Sequence, residues 1–311
     1  MDRDSKIFVA GASGLIGSAI STLLVDRGYT NIVSPSHAEL ELKDRIAVAN
    51  FFDQHAPTHV FMCAGRVGGI IENTTFPADF ILENLSIQSN MVSVAIEFGV
   101  ERFILFGSSC MYPRECPQPM AEDELFTGLP EPTSMSYAVS KMAGIQLCLA
   151  ANQQYQNQSF IPVIPNSVFG PNDNFSPTSG HVLSVLIRKF HEAKMTGSDV
   201  VNLWGSGNPK REFVYSSDVA NACVALMSHE GEMDLPLNIG AGFDMTIREL
   251  AQQVSHVVGF SGSVDWDQSK PDGAPRKFLD SARMHELGWN AKVEFEAGLI
   301  ATYRWFLENK A

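Results

Sequence analysis

Short runs of apolar residues alternate with stretches of helical spacing along the first two thirds of the chain. The apolar runs are typical of buried strands, and five are predicted: Ile7–Ala10, Asn31–Ser34, Val60–Cys63, Phe103–Phe106 and Phe160–Pro165. Apolar residues at three- and four-residue spacing predict four helices: Leu15–Arg27, Phe80–Phe98, Tyr137–Tyr155 and Val182–Ala193. Because strands and helices alternate, we expect an α/β fold built on a doubly wound parallel sheet.

The pattern changes after Gly170-Pro171, where loops rich in glycine, proline, serine and asparagine separate the elements. Arg211–Tyr215 and Leu237–Gly240 each predict a further strand, and Asp218 is expected to cap a helix that runs through Leu226. This change favours two domains, with the chain crossing between them. We predict a larger domain of residues 1–172 and about 212–240, and a smaller C-terminal α/β domain of residues 173–211 and about 241–311.

Composition and charge narrow the class of protein. The 311 residues are 45% hydrophobic and 18% charged, which is typical of a folded globular chain, and the formal net charge is -13. Because the chain has no basic tract, binding to nucleic acid or to an anionic membrane is not expected. The charged start Met1–Lys6 leads directly into a strand, and no apolar run is long enough to span a bilayer. We therefore expect a cytoplasmic protein without a signal peptide.

The cysteines predict neither a disulfide framework nor a metal site. The cysteines are Cys63, Cys110, Cys116, Cys148 and Cys223. Their odd number argues against a disulfide framework, and the absence of C-x-x-C spacing argues against a zinc site. Three of them, Cys63, Cys148 and Cys223, are interpreted as small buried hydrophobic residues.

A glycine-rich loop joins the first predicted strand to the first predicted helix. Its sequence is Gly11-Ala12-Ser13-Gly14-Leu15-Ile16-Gly17. At such a junction the backbone amides and the helix N-terminus can bind a nucleotide pyrophosphate, whereas the glycine spacing alone would be a weak signal. We therefore expect a dinucleotide at this loop.

The end of the second predicted strand bears on which dinucleotide it is. Val33–Ala38 contains no acidic residue that could bind a ribose 2′-hydroxyl. Ser13, Ser36 and His37 could instead surround a 2′-phosphate, which favours NADP, although no arginine accompanies them. Asp44 is interpreted either as a contact to the adenine or as a solvated surface charge.

Tyr137 and Lys141 are four residues apart and share one face of a predicted helix. The ammonium group is therefore expected to lower the pKa of the phenol. Ser108 follows the fourth predicted strand, within Gly107-Ser108-Ser109-Cys110, and its hydroxyl would complete a pair of groups around an oxyanion. Together these residues predict proton transfer to a carbonyl oxygen.

With a glycine loop, a Ser-Ser strand end and a Tyr-x-x-x-Lys pair in this order, the chain resembles the extended short-chain dehydrogenase/reductase family. The resemblance implies a Rossmann-type doubly wound sheet that binds NADP, and a smaller C-terminal α/β domain that binds the substrate. It also implies that Tyr137 donates or accepts the proton and that Lys141 contacts the nicotinamide ribose. Beyond the glycine loop, Ser36, His37 and Asp44, the implied cofactor contacts are Phe106, Gly107, Ser108, Ser109, Lys141, Pro165, Asn166, Ser167, Val168 and His181.

Further segments are similar to one branch of this family, the enzymes that epimerise and reduce GDP-4-keto-6-deoxy sugars. The segments are Arg66–Ile70, Gly107–Pro113, Gly170–Phe175, His181–Leu183, Phe190–Ala193 and Arg211–Phe213, and the similarity runs from about Lys6 to Trp305–Asn309. It implies that Ser108 and Tyr137 bind the C4 oxygen and that Cys110 and His181 form the acid/base pair for epimerisation. The implied reaction is C3/C5 epimerisation of GDP-4-keto-6-deoxy-D-mannose, followed by NADPH-dependent reduction at C4.

The same resemblance implies a site for the nucleotide sugar. Its residues are Lys189, Trp204, Arg211 and Asp272. Arg276 and Lys277 are further candidates that could equally be plain surface charges. The competing interpretation of His181 is a helix-capping residue.

Several departures from the family pattern keep other functions open. Pro165-Asn166-Ser167, Ser134-Met135-Ser136 and Ser184 each differ from the usual residues, which allows a related GDP-keto sugar of the colitose or 6-deoxyheptose type. A 4-epimerase that retains NAD stays open as well, and so does a non-catalytic regulator that only binds the dinucleotide. The helices at Phe80–Phe98 and Tyr137–Tyr155 could form the seam of a homodimer, although core packing explains their apolar faces equally well.

Overall fold

A six-stranded parallel sheet forms the centre of the computed structural model, which describes residues 1–155, 159–229, 231, 235–270 and 272–311. The strands are β1 Ile7–Ala10, β2 Ile32–Val33, β3 His59–Met62, β4 Arg102–Phe106, β5 Ser159–Pro165, β6 Ser167–Phe169, β7 Val200–Trp204, β8 Lys210–Arg211, β9 Phe213–Tyr215, β10 Leu237–Ile239, β11 Met245–Thr246, β12 Ser263–Asp267 and β13 Arg276–Lys277. The helices are α1 Leu15–Asp26, α2 Arg45–His55, α3 Ile70–Thr75, α4 Pro77–Glu97, α5 Met135–Gln154, α6 Val182–Thr196, α7 Ser216–Ser228, α8 Ile247–Val258, α9 Ala282–Glu286 and α10 Phe295–Asn309.

The central sheet has the order β2-β1-β3-β4-β5-β10, and every neighbouring pair is parallel. Alternate residues of each strand point to opposite faces, so Phe8 packs against α2, whereas Ile7 and Val9 pack toward α1 and α7. Helices α2, α4 and α5 cover one face, and helices α1 and α7 cover the other. The expected doubly wound parallel sheet is confirmed. All the strands and helices predicted before residue 194 are present, with ends that differ by up to three residues.

A third hydrophobic cluster lies in the C-terminal part of the chain. It joins α6, β7, α8 and α10 through Phe190, Leu203, Leu250 and Leu299. Burying a phenylalanine of this kind contributes roughly 1.5–3 kcal/mol, so the cluster is a core in its own right. The domain boundaries stay a prediction. Met284 in α9, which was predicted to belong to the smaller domain, packs with the cluster on the α1/α7 face of the central sheet.

Two sequence-based predictions in this half are wrong. Arg211–Tyr215 is not one strand, because β8 and β9 belong to different sheets. Glu212 lies between them and is fully buried. Asp218 does not cap α7, which begins at Ser216; its carboxylate instead accepts from the backbone N–H of Lys292 (3.1 Å) and of Val293 (3.0 Å). It therefore fixes a distant loop rather than its own helix end.

Helix α2 was missed because its sequence shows no clear apolar stripe. Of its eleven residues, Val48 and Phe52 are buried. The signal that could have found it is Asp44, whose carboxylate accepts from the N–H groups of Ile46 (2.9 Å) and Ala47 (3.1 Å) at the helix start.

The five cysteines are free thiols. Cys148 and Cys223 are fully buried, as expected, whereas Cys63 is half-buried at the end of β3. Within the residues that the structure describes, no helix is both long and apolar enough to cross a membrane.

Candidate active site

The carboxyl ends of the central strands bring the predicted chemistry to one edge of the sheet. Because the strands are parallel, Gly11 after β1, Cys63 after β3, Ser108 after β4 and Asn166 after β5 all follow strand ends on the same side. In open α/β sheets this edge is where ligands bind.

The glycine loop has the geometry of a pyrophosphate site. Gly11 has φ +79° and lies so close to β3 that a Cβ atom there would come within 2.8 Å of the backbone nitrogen of Ala64. A Cβ on Gly17 would collide with the carbonyl oxygen of Gly11, so the helix packs directly on the loop. Gly14 is the N-cap of α1 and provides no side-chain acceptor, and both Ser13 and Gly14 are exposed. The free N–H groups of the first helical turn therefore fit an anionic pyrophosphate.

The residues predicted to surround the ribose of the dinucleotide already have partners within the protein. The hydroxyl and the backbone N–H of Ser36 both donate to the carboxylate of Glu39, at 2.8 and 2.7 Å. The ring of His37 lies 3.6 Å from the carboxylate of Glu41. Asp44 caps α2, a role that the sequence analysis did not consider. The contacts of Ser36, His37 and Asp44 with the cofactor stay predictions.

The structure places three of the predicted catalytic residues close together near this edge of the sheet: Tyr137, Ser108 and Lys141. Tyr137 is 8% exposed in the first turn of α5 and shares a hydrogen bond with Ser108. The Lys141 Nζ atom donates to the carbonyl oxygen of Phe106 at the end of β4 (2.9 Å) and lies 5.9 Å from the centroid of the Tyr137 ring. The structure therefore places all three predicted groups together.

The expected effect of Lys141 on the phenol is wrong. The pKa of Tyr137 is raised by burial and further by Cys110, while the hydrogen bond with Ser108 lowers it. Burial also lowers the pKa of Lys141 to about 8, against the opposing influence of Cys63. Since the ammonium group is held at the Phe106 carbonyl, desolvation decides the state of the phenol.

Cys110 has a partner in Lys277, which the sequence left open as either a sugar-nucleotide contact or a surface charge. The Nζ atom of Lys277 donates to the Cys110 Sγ atom at 3.3 Å, across 167 positions of sequence. Burial acts to raise the pKa of this thiol, but Lys277 and the hydrogen bonds from Ser108 and Ser134 outweigh it, so the pKa of Cys110 is lowered. No local pattern could have predicted this pair, because β13 brings Lys277 here through the tertiary fold.

Asn166 belongs to a buried polar network that the sequence analysis missed. Its amide donates to the carboxylate of Glu212 (2.7 Å) and to the carbonyl oxygen of Lys277 (3.3 Å). Glu212 also accepts from the N–H groups of Leu279 (3.0 Å) and Gly242 (2.9 Å). The signal that could have predicted this network was Glu212 itself, a carboxylate next to the apolar residues that follow it. Of the other predicted cofactor contacts here, Pro165 ends β5, and Ser167 and Val168 begin β6.

His181 is exposed and lies at the N-cap position of α6, but its side chain makes no capping hydrogen bond. The capping interpretation of this side chain is therefore wrong. Its charged neighbour is the buried Asp173, which accepts from the hydroxyl of Ser184 and from the N–H of Asn174. Burial raises the pKa of Asp173, while Ser184, His181 and Asn174 act to lower it. Ser184, one of the departures from the family pattern, is thus used to hold this carboxylate.

The predicted nucleotide-sugar residues surround β7 and β8. Trp204 is 55% exposed, and the Lys270 Nζ atom lies 5.6 Å from its ring centroid. Asp272 accepts from the N–H and the hydroxyl of Ser206, at 2.7 and 2.8 Å, and so holds the turn after β7. Lys189 donates to the carbonyl oxygen of Asn202 at 3.2 Å.

Arg211, the fourth of these predicted residues, links the group to Cys110. Burial lowers the pKa of its guanidinium, and Cys110, Glu131 and Asp272 oppose that change. Its Nη1 atom donates to the carbonyl oxygen of Lys210 at 2.7 Å. No group of three or more His, Cys, Asp or Glu side chains suited to a metal ion occurs among the described residues.

Comparisons with known proteins identify the family of this chain. Residues 7–240 match the model of the NAD dependent epimerase/dehydratase family. The chain is 48% identical to GDP-L-fucose synthase 1 of Arabidopsis thaliana, covering 99% of this chain and 95% of that one. It is 45% identical to GDP-L-fucose synthase of Escherichia coli (strain K12), covering 98% and 97%. A crystal structure of a GDP-L-fucose synthetase from Naegleria fowleri bound to NADP matches with a TM-score of 0.92 at 30% identity, covering 99% of this chain and 94% of that one. The chain therefore belongs to the NAD-dependent epimerase/dehydratase family and, within it, to the GDP-L-fucose synthases.

Proposed function

We propose that the protein converts GDP-4-keto-6-deoxy-D-mannose to GDP-L-fucose by epimerisation at C3 and C5 and NADPH-dependent reduction at C4. The observation that carries the proposal is the position of the Cys110 thiol, 3.3 Å from the Lys277 ammonium group and beside the hydrogen-bonded pair of Ser108 and Tyr137. A reductase needs the hydroxyl pair, whereas the activated thiol has a task only if carbon-bound protons must also be moved.

Epimerisation uses the acidity that a C4 ketone gives to the neighbouring C–H bonds. In the proposed step Cys110 removes a proton, and the hydroxyls of Ser108 and Tyr137 donate hydrogen bonds to the enolate oxygen. His181 returns a proton to the carbon, which inverts it when delivery is to the opposite face. A thiol and an imidazole suit these roles because both exchange protons near neutral pH.

Reduction uses the same oxygen-binding pair. NADPH, when bound, supplies the hydride that adds to C4. Tyr137 donates the proton to the C4 oxygen, and its raised pKa ensures that the phenol still holds this proton at neutral pH. Lys141, whose pKa burial lowers to about 8, donates to the carbonyl oxygen of Phe106 and is proposed to contact the nicotinamide ribose.

The nucleotide end is assigned to the groups around β7 and β8. Trp204 offers an exposed ring for stacking on guanine, and Arg211 and Lys189 offer cations for the diphosphate. Asp272 contributes by holding the turn that carries Ser206 and by facing Arg211.

A related GDP-keto sugar of the colitose or 6-deoxyheptose type is the second candidate. The observation that favours it is the position of two departures from the family pattern. Ser134 hydrogen-bonds to Cys110, and the amide of Asn166 is taken up by Glu212. Both therefore border the proposed sugar site. A 4-epimerase that retains NAD, or a non-catalytic regulator, would leave Cys110 without a task.

The deciding experiment is to incubate the purified protein with GDP-4-keto-6-deoxy-D-mannose and either NADPH or NADH, and to identify the product by NMR. GDP-L-fucose is expected with the wild-type chain, and Tyr137→Phe should abolish cofactor oxidation. Tightly retained NAD, or a product from a different keto sugar only, would overturn the assignment.

The chain is also proposed to act as a cytoplasmic homodimer. Leu82, Leu85 and Val139 are 63%, 36% and 40% exposed on α4 and α5, the helices predicted to form the seam. Apolar side chains on two adjacent helices suit a self-complementary interface. Light scattering should give the mass of a dimer, and that of a monomer for Leu82→Glu.

A further inference from the structure

The contact between Lys277 and Cys110 joins two distant segments of the chain, and the proposed reaction gives Lys277 no role. Cys110 lies in a short 3-10 helix, Ser109–Met111, directly after β4. Lys277 is half-buried in β13, and its Nζ atom donates to the Cys110 Sγ atom at 3.3 Å. An ammonium group at this distance favours the thiolate over the thiol, because the attraction exists only when the sulfur is charged.

The backbone on both sides of Lys277 is fixed by buried groups. Strand β13 pairs with β8, which places Lys277 opposite Arg211. The carbonyl oxygen of Lys277 accepts from the amide of Asn166 and from the N–H of Glu212, both at 3.3 Å. The N–H of Leu279 donates to the fully buried carboxylate of Glu212. The backbone that carries Lys277 is therefore fixed by the fold within reach of the sulfur.

We propose that Lys277 is a positioning residue that favours the thiolate form of Cys110, the form that removes a proton from the keto sugar. This inference rests on the proposed function and adds the group that prepares its base. The proton removed from the carbon then passes to sulfur, which becomes a neutral thiol, and it returns to sugar or solvent in the next step. No oxidant or further reactant is required.

Other charged and titratable groups also face Cys110. Arg211 of β8 adds a second positive charge at longer range, and Glu131 and Asp272 partly offset that charge. Tyr137 of α5 faces the sulfur as a neutral phenol, and the hydrogen bonds from Ser108 and Ser134 also favour the thiolate. Since Arg211 remains when Lys277 is replaced, a partial loss of thiolate is expected rather than a complete one.

The test measures the rate of alkylation of Cys110 by iodoacetamide against pH, without sugar or cofactor. Subtracting the rate of Cys110→Ser removes the signal from the half-buried Cys63 and Cys116. Lys277→Met should slow alkylation at pH 7 by about tenfold and move the midpoint to higher pH, whereas Lys277→Arg should retain most of the wild-type rate. Lys210→Met is the matched control, because Lys210 is exposed in the neighbouring strand β8.

An unchanged alkylation midpoint in Lys277→Met would overturn the proposal. If that variant does not fold, the wild-type profile still decides: a Cys110 midpoint at or above that of a free thiol excludes a prepared thiolate. Failure of the proposed function is a different result, because it would appear as a wild-type chain that forms no GDP-L-fucose, whatever its alkylation profile.

Discussion

The two residues proposed to move protons during epimerisation lie in opposite surroundings. Cys110 is part of a packed edge, with an ammonium group at 3.3 Å and hydroxyls on either side. His181 is exposed at the start of α6 and makes no capping hydrogen bond. A thiol has to be prepared to act as a base, since its ordinary pKa lies above neutral pH. The fold thus prepares the base and leaves the acid in contact with solvent.

Replacing the prepared group should have the largest effect. Cys110→Ser is expected to reduce solvent deuterium uptake at C3 and C5 by about 10²- to 10⁴-fold, because a hydroxyl is a far weaker base than a thiolate. Mass spectrometry of the sugar measures the uptake, and titration of NADPH fluorescence provides the control, which should be unchanged. Wild-type uptake in this variant would remove Cys110 from the mechanism.

Replacing the exposed group should have a smaller effect that can be reversed. His181→Ala is expected to reduce product formation by about 10²-fold, and added imidazole should restore part of the rate because its site opens to solvent. The same additive should not rescue Cys110→Ser. Rescue of both variants, or of neither, would mean that the two surroundings do not differ as the structure indicates.

The reduction step should respond to pH through Lys141. Because burial lowers its pKa to about 8, Lys141 loses its proton as the pH rises through that value, and the reductase rate should fall about tenfold for each further unit. Lys141→Arg keeps its charge, so its rate should stay level above pH 8. Single-turnover NADPH oxidation measures both profiles. A wild-type rate that is constant from pH 7 to 10 would exclude this role.

The smallest catalytic effect is expected from the support of Asp173 beside His181. Ser184→Ala removes a hydroxyl from a buried carboxylate and should lower the free energy of unfolding by about 1–3 kcal/mol, with little change in rate. Ser269→Ala is the matched control, because Ser269 donates to Asp267 in the same way at an exposed position and should change stability by less than about 0.5 kcal/mol. Urea denaturation compares the two. Equal losses would show that burial of the Asp173 pair adds nothing.

The sequence was sufficient wherever local spacing determines the structure. The glycine loop, the strand end at Ser108 and the four-residue interval between Tyr137 and Lys141 were all readable because each lies within one element or one junction. Parallel strands then bring such junctions to a common edge, so the main part of the site followed from topology.

What the sequence could not show depends on long-range packing. The direction of the Tyr137 pKa shift is set by desolvation, which no interval between residues reveals. Glu212 follows β8, and Lys277 lies in β13; strands of only two residues leave no periodic signal in the sequence. Asp218 was misread as a cap for the same reason, because its partners lie 74 and 75 residues away.

The distance along the chain between Lys277 and Cys110 also has a consequence for biosynthesis. The ammonium group that activates the sulfur is 167 positions further on, so a nascent chain that has passed Cys110 still carries an ordinary, sluggish thiol. On this proposal, the pKa of the Cys110 thiol is lowered by Lys277 only once β13 has docked. Reactivity of Cys110 toward an electrophile, above that of an ordinary thiol, is therefore expected to report that β13 has docked.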